Sequence, residues 1–309
     1  MTPVDRTSVP SRAAGRSQRA LLIANPASRR GARLVDEARA TFRVFGIRCD
    51  AVVTEYPGHA ARLAGRLGGD YDLIFALGGD GTAMDVVGAL VSSDRPVGIL
   101  PGGTGNLLAR ALGIPRNIPS AIQTLLEGEE ARIDLGRLDD GRYFAFAAGV
   151  GIDASMVEST PIPLKQRLGI LAYVLTATRS VLRGDSFDVR ATVDGVTYER
   201  TAAMVMVTNF GTVLDQLFAL GPDISHDDGI LDLCVFSPGN VIDAARIAWR
   251  LFRKDFRDDP CILYAPGHRF VIETSPTRNA QADGELLGPT PFAVTVEPLG
   301  ARLLIPRRG

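Results

Sequence analysis

Leu73-Ile74-Phe75-Ala76-Leu77-Gly78-Gly79-Asp80-Gly81-Thr82 runs from an apolar stretch of strand length straight into a glycine-rich turn. The turn holds one carboxylate and one hydroxyl, and helical spacing follows over Ala83–Val91. Strand, glycine turn, helix is the arrangement that aims backbone N–H groups and a helix N-terminus at a phosphate. Glycine lets the backbone approach a ligand closely and adopt positive φ without steric penalty. A second turn of the same kind comes a short way on, where Val97-Gly98-Ile99-Leu100 enters Pro101-Gly102-Gly103-Thr104-Gly105-Asn106. Two such turns on successive strands predict a polyphosphate site at the ends of a parallel sheet.

Working outward, Arg19–Gly128 alternates strand and helix. Strands are expected at Ala20–Ala24, Arg48–Val53, Asp72–Leu77 and Val97–Leu100. Helices are expected at Ala32–Phe45, His59–Leu67, Ala83–Val91, Asn106–Leu112 and Ser120–Glu127. Apolar strands alternating with helices indicate a Rossmann-like α/β domain with a parallel, helix-covered sheet. After Gly128 the pattern changes to strand-like runs: Arg132–Leu138, Tyr143–Ala148, Phe187–Val193, Ala202–Thr208, Ile230–Phe236, Arg269–Thr274 and Phe292–Glu297. Asp139-Asp140-Gly141, Asp194-Gly195 and Asp283-Gly284 read as hairpin turns. The second half is therefore expected to be a β-sandwich, interrupted by helices near Leu164–Leu182 and Val241–Phe256. The expected division is a disordered tail over 1–18, a nucleotide-binding domain over 19–130 and a substrate domain over 131–309. A last strand, Arg302–Ile305, is free to return to the first domain.

Composition narrows the function. The chain has 309 residues, a net charge of −1 and 46% hydrophobic residues, which supports two cored domains and excludes a general nucleic-acid binder. Cys49, Cys234 and Cys261 are scattered, without the spacing of a disulfide frame or a zinc site. No apolar run has the length of a membrane span, and the Ser-, Pro- and Arg-rich start lacks a hydrophobic signal core, so a soluble, cytoplasmic setting is expected. Lysine occurs only at Lys165 and Lys254. A Walker-type loop or a protein-kinase strand lysine is thereby excluded from the first half, and phosphate charge falls to N–H groups, arginine and a divalent metal.

Several residues carry candidate chemistry. Asp80 beside phosphates calls for an intervening cation such as Mg²⁺; its alternative is to cap the next helix. Thr82 and the N–H groups of Gly79 and Gly81 suit phosphate oxygens. Gly103, Thr104 and Asn106 offer a small polar loop, with Asn106 also a candidate helix cap. Asn25-Pro26-Ala27-Ser28 follows the first strand, and proline fixes the exit so that Asn25 and Ser28 face the same crevice. Thr54 ends the second strand at that edge. Asp283 and Glu285 stand two apart; on one strand they would share a face, and crowding of like charge would raise one carboxyl into the range of a base. A plain hairpin turn is the alternative.

Asn25-Pro26, Gly78–Thr82 and Gly103–Asn106 through Ala109-Arg110 resemble the catalytic domain of the diacylglycerol kinase and sphingosine kinase family, in its bacterial soluble branch. Gly151–Ala154, Asp227–Asp232 and Asp283–Glu285 extend the resemblance, which covers nearly all of Arg19–Pro306. It implies ATP-dependent phosphorylation of a lipid alcohol, with Mg²⁺, in an active site between an α/β domain and a β-sandwich. By motif, Thr54, Gly78, Gly79, Asp80, Gly81, Thr82, Ala83, Met84 and Thr104 would touch ATP. Glu285 would accept the proton with Asp283 beside it. The Asp228 side chain and the carbonyls of Ser225 and Ile230 would hold a structural Mg²⁺. The resemblance fits peripheral contact with a membrane and leaves a homodimer open.

The chain departs from that family at Met84-Asp85, where Asn and Glu are usual, at Ser28-Arg29, and at the bulky 213–218 stretch after Asn209. Two further readings follow: a kinase for a soluble acceptor such as NAD, and a nucleotide sensor without turnover. Val241–Phe256 has apolar residues at helical spacing with arginines between. It reads as an amphipathic helix packed on the sandwich or as a membrane-surface helix.

Overall fold

The computed structural model describes residues 18–25, 31–151, 186–213 and 218–307. Pro26, Ser28, the 1–17 stretch, the expected helix at Leu164–Leu182 and most of the 213–218 departure lie outside them. The chain forms two compact units, Met1–Ile133 with Leu299–Gly309, and Asp134–Pro298.

In the first unit, β1 (Arg19–Ala24), β2 (Arg48–Val53), β3 (Leu73–Gly78) and β4 (Val97–Pro101) form a parallel sheet in the order β2-β1-β3-β4. Every residue of β3 and β4 is buried, as expected of central strands covered on both faces. The sheet's packing explains one glycine: a β-carbon at Gly98 would stand 2.4 Å from the Phe75 ring. That ring in turn meets Phe42 of α1 (Gly31–Val44) edge-to-face at 4.7 Å. The other helices are α2 (His59–Leu67), α3 (Asp80–Ala89), α4 (Leu107–Ala111) and α5 (Ile118–Leu126). The α3 helix begins at Asp80, three residues before its expected start, so the glycine turn is itself the first helical turn.

The chain leaves this unit through β5 (Glu129–Leu138) and re-enters it through β18 (Phe292–Ile305). Two separate strands were expected over β18; a single 14-residue strand is present, with Leu299 at φ 50° as its irregular joint. Its end joins the first unit's sheet, Leu303 pairing in parallel with Val97.

The second unit is antiparallel. One sheet has the order β14-β13-β10-β7-β16-β17. These strands are β7 (Ala147–Val150), β10 (Met204–Thr208), β13 (Leu231–Phe236), β14 (Ile262–Gly267), β16 (Asn279–Ala282) and β17 (Glu285–Pro289). Opposite it, β15 (Arg269–Ser275) pairs with β18 and with β8 (Phe187–Val193), which pairs with β9 (Val196–Ala202). Phe144, Val189, Val205, Leu233, Phe270 and Val294 are among the residues that fill the core. The expected turns at Asp194-Gly195 and Asp283-Gly284 are two-residue loops with positive φ at both positions, matched to strand twist. Further elements are β11 (Thr212–Val213), β12 (Phe218–Ala219) and α6 (Val241–Arg253). The cysteines are free.

Tyr143–Ala148, expected as one strand, is instead β6 (Tyr143–Phe144) and β7, broken at Ala145-Phe146. Side chains distant in the sequence, Asp283 and Asn209, occupy the hydrogen-bonding positions that a strand partner would take.

Candidate active site

Four strand ends deliver the first unit's polar groups to one edge of its sheet. Asn25 follows β1, Thr54 follows β2, the Gly78–Thr82 turn ends β3 and the Gly102–Asn106 loop ends β4. The Asn25 N–H donates to Leu77 O (2.9 Å) and the Thr54 N–H to Ala24 O (2.8 Å), so both residues are tied to neighbouring strands. Asn25 Nδ2 donates to Thr82 Oγ1 at 3.3 Å, bringing together two residues singled out from separate motifs. The first intrahelical bond of α3 is Ala83 N–H to Gly79 O at 3.1 Å. The N–H groups of Asp80, Gly81 and Thr82 therefore precede the helical ladder, as an anion-binding helix start requires.

The two glycine loops are packed on each other. A β-carbon at Gly103 would lie 2.5 Å from Gly79 Cα, and one at Gly78 would lie 2.7 Å from Thr82 Cβ. Asn106 sits at the start of α4 with φ 49° and caps nothing. Its side chain closes the loop instead: Gly103 N–H donates to Asn106 Oδ1 (3.0 Å) and Asn106 Nδ2 donates to Gly103 O (2.7 Å). Asp80 is not the cap of its own helix either. Its Oδ1 accepts from Leu108 N–H of α4 at 3.3 Å, so the carboxylate of the first turn secures the helix after the second. Burial pushes the Asp80 carboxyl up, against the opposing pull of the N–H groups of Leu108, Leu107 and Asn106. Thr104 is exposed, and Met84 is half-buried in α3.

In the second unit, Asp283 and Glu285 do not share a strand face. Asp283 lies in the hairpin turn at φ 47°, whereas Glu285 opens β17 opposite Ala282. Asp283 is 7% exposed. Its carboxylate accepts from Ala145 N–H (2.7 Å), Phe146 N–H (2.9 Å) and Ala147 N–H (3.0 Å). Asn209 meets the same segment: Nδ2 donates to Ala145 O (3.0 Å) and to Asp134 O (2.7 Å), and its N–H donates to Phe146 O (2.9 Å). Thr208 Oγ1 adds a bond to Phe146 O at 3.2 Å. A buried irregular segment must have its backbone groups satisfied, and Asp283, Asn209 and Thr208 do so here. Glu285 is exposed at the end of this construction. Thr208 and Asn209 were not singled out as site residues. Their signal was two polar residues closing the apolar run Met204–Val207.

The loop Ser225–Ile230 presents oxygen. Ser225 Oγ donates to Asp227 Oδ1 (2.5 Å), and Asp228 Oδ1 accepts from Ile230 N–H (3.2 Å). Asp134, fully buried, accepts from Gly229 N–H through Oδ2 at 2.8 Å. Burial and the neighbouring Asp228 push the Asp232 carboxyl up to about 6. An all-oxygen donor set of this kind suits a hard divalent cation. Among the described residues no three His, Cys, Asp or Glu side chains converge as a metal site, so a cation here would depend on main-chain carbonyls.

Comparisons with known proteins agree with the two-domain fold. Residues 19–138 match the diacylglycerol kinase catalytic domain, and residues 147–305 match the YegS C-terminal NAD kinase beta sandwich-like domain. The chain is 33% identical to a diacylglycerol kinase of Bacillus subtilis over 89% of its own length and 92% of that protein's. A Staphylococcus epidermidis diacylglycerol kinase is 30% identical, over 89% and 88% of the two chains. An uncharacterized Synechocystis protein is 33% identical over 75% of this chain, and the match spans 54% of that longer relative. A Bacillus anthracis structure described as a candidate diacylglycerol kinase superposes with a TM-score of 0.74 at 26% identity, covering 94% of this chain and 98% of that one.

Proposed function

The chain belongs to the diacylglycerol kinase catalytic-domain family, and on that footing we propose that it transfers the γ-phosphate of ATP to the hydroxyl of diacylglycerol or a similar lipid alcohol. The observation that carries this reading is the pair of mutually packed glycine loops at the carboxyl ends of β3 and β4, with the first-turn N–H groups of α3 beside them. In this reading residues 19–130 hold the nucleotide and residues 131–309 the acceptor. Asn25, Pro26, Thr54, the Gly78–Met84 turn, Gly103, Thr104 and Asn106 bind the nucleotide.

The reaction is an in-line displacement. The alcohol oxygen attacks the γ-phosphorus, its proton passes to the Glu285 carboxylate, and the bond from the γ-phosphorus to the bridging oxygen breaks to release ADP. A positioned base of this kind contributes roughly 10²–10⁴-fold. Asp283 acts through Glu285 by holding the hairpin turn; with its oxygens engaged by main-chain N–H groups it is a positioning residue. Asp80 secures the second loop against the first. Mg²⁺ supplies charge neutralisation on the phosphates when bound, and Asp228 with the carbonyls of Ser225 and Ile230 are the donors for a structural ion. ATP as donor points to the cytoplasm as the place of reaction.

The NAD kinase-like description of the second domain keeps NAD as an acceptor to be tested beside lipid. Incubation with γ-labelled ATP, Mg²⁺ and a panel of lipid alcohols, and separately with NAD in the absence of lipid, decides between them. Label in a lipid phosphate is expected. Label only in the dinucleotide, or none in any lipid while nucleotide still binds, would defeat the proposal.

A further inference from the structure

The α6 helix has two faces of different character. Asn240 caps it, accepting from Asp243 N–H at 3.0 Å, and Lys254 closes it at φ 55°. Ala244, Ile247 and Ala248 are buried, and the Phe252 ring stands edge-on to Phe218 of β12 at 6.0 Å. This is the packed amphipathic helix that the sequence suggests. The opposite side is not polar, however. Ile242 is 79% exposed and Trp249 is 55% exposed. With the exposed Arg246 and Arg253 they follow a 4-3-4 spacing, which places all four on one ridge of a helix.

Apolar and cationic side chains thus alternate along the ridge, which contains no carboxylate. The nearby acids lie off the ridge and pair with arginines, Arg246 of the ridge among them. Asp259 pairs with Arg250 at 2.6 Å and Arg246 at 3.3 Å, and Asp255 with Arg257 at 2.6 Å. Asp243 lies on the flank and also pairs with Arg246, at 3.1 Å, and Asp258 belongs to the loop beyond the helix. Arg253 and Lys254 have no ion pair among the described residues. A second copy of the chain seated face to face would set the same cations against one another, with no acid on either ridge to neutralise them. An anionic bilayer complements both properties. Its headgroup phosphates meet arginine and lysine, and its interfacial zone is where an indole and an aliphatic tip partition together.

We propose that the ridge Ile242–Arg246–Trp249–Arg253, with Lys254 at its end, is a docking face for an anionic lipid bilayer. Ile242 and Trp249 enter the boundary between headgroups and acyl chains, while Arg253 and Lys254 bind headgroup phosphates. The inference does not rest on phosphoryl transfer, because docking is measurable without nucleotide.

Trp249 is the only tryptophan in the chain, so its emission reports on this ridge alone. The full-length protein is titrated with phosphatidylglycerol vesicles and, separately, with phosphatidylcholine vesicles. Expected are a blue shift and quenching by bromine-labelled acyl chains with the anionic vesicles only. Arg253→Glu with Lys254→Glu should weaken vesicle partitioning by about tenfold or more, with circular dichroism and melting temperature unchanged. Ile242→Asp should weaken it in a vesicle co-sedimentation assay. An emission unmoved by anionic vesicles would overturn the proposal. So would an equal affinity of the charge-reversed protein, or a blue shift that follows protein concentration without vesicles as a dimer forms.

Discussion

A single carboxylate, that of Asp283, serves three main-chain N–H groups that no strand partner reaches. An amide in its place has one acceptor oxygen and would turn an NH₂ group toward a donor. Asp283→Asn is therefore expected to lower stability by about 2 kcal/mol or more in urea unfolding, since bonds to a charged acceptor are the stronger kind. It should also lower kcat while the KM for ATP stays put, because the damage lies at the hairpin that carries Glu285. Equal loss of both constants would assign Asp283 to nucleotide binding instead. Asp80 gives a pH-dependent test. Burial raises its carboxyl, so the ionised form costs stability: the favourable contribution is present below about pH 4 and is lost as pH rises through the folded value. Asp80→Asn keeps the acceptor for Leu108 N–H and drops the charge. It should melt higher than the parent at pH 7, with the difference closing by about pH 4. An unchanged difference across that range would show that the carboxylate is not strained by burial.

The site's elements are held by close backbone contact as much as by hydrogen bonds. Gly103→Ala would push a methyl group to 2.5 Å from Gly79 Cα and 3.1 Å from Gly79 N, backbone atoms that no side-chain rotation can move aside. The loops must separate, which overpacking precedents put at about 1–3 kcal/mol. Nucleotide affinity by calorimetry should fall at least tenfold; unchanged affinity would show that the packed loops do not form the phosphate site. These loops were legible in the sequence because Gly78–Thr82 and Gly102–Asn106 are local signals: glycine after an apolar strand. The type of each domain was legible for the same reason, from the alternation of strand and helix before Gly128 and the turn dipeptides after it. What escaped was non-local. The break at Ala145-Phe146 is made by Asp283 and Asn209, more than sixty residues away, and alternation within Tyr143–Ala148 carries no trace of it. Asp80 gave the same difficulty: a carboxylate at a helix start reads as a cap for that helix, whereas its partner is the start of α4. For Asp283 and Glu285 the hairpin alternative is the one present: Asp283-Gly284 forms the turn, so the two carboxylates do not share a strand face.

For the whole molecule, the first unit is completed by the far end of the chain. Ala301, Leu303, Leu304 and Ile305 are all buried there, and Arg302 Nε donates to Glu130 Oε2 at 2.7 Å. Each large apolar side chain so buried contributes about 1.5–3 kcal/mol. Truncation after Pro298 is thus expected to exceed the stability of the first unit, exposing the β4 edge and giving insoluble or protease-sensitive protein. A truncated chain with an unchanged melting transition and intact nucleotide binding would contradict that. Among the described residues no helix is long and apolar enough to cross a membrane. The most direct test of the account compares phosphate transfer from labelled ATP to diacylglycerol in vesicles by the parent chain and by Glu285→Gln, with ATP affinity measured in parallel. Expected are labelled phosphatidate from the parent, a loss of about 10²–10⁴-fold in kcat for the variant and an unchanged nucleotide affinity; a variant that transfers phosphate as fast as the parent would contradict Glu285 as the proton acceptor.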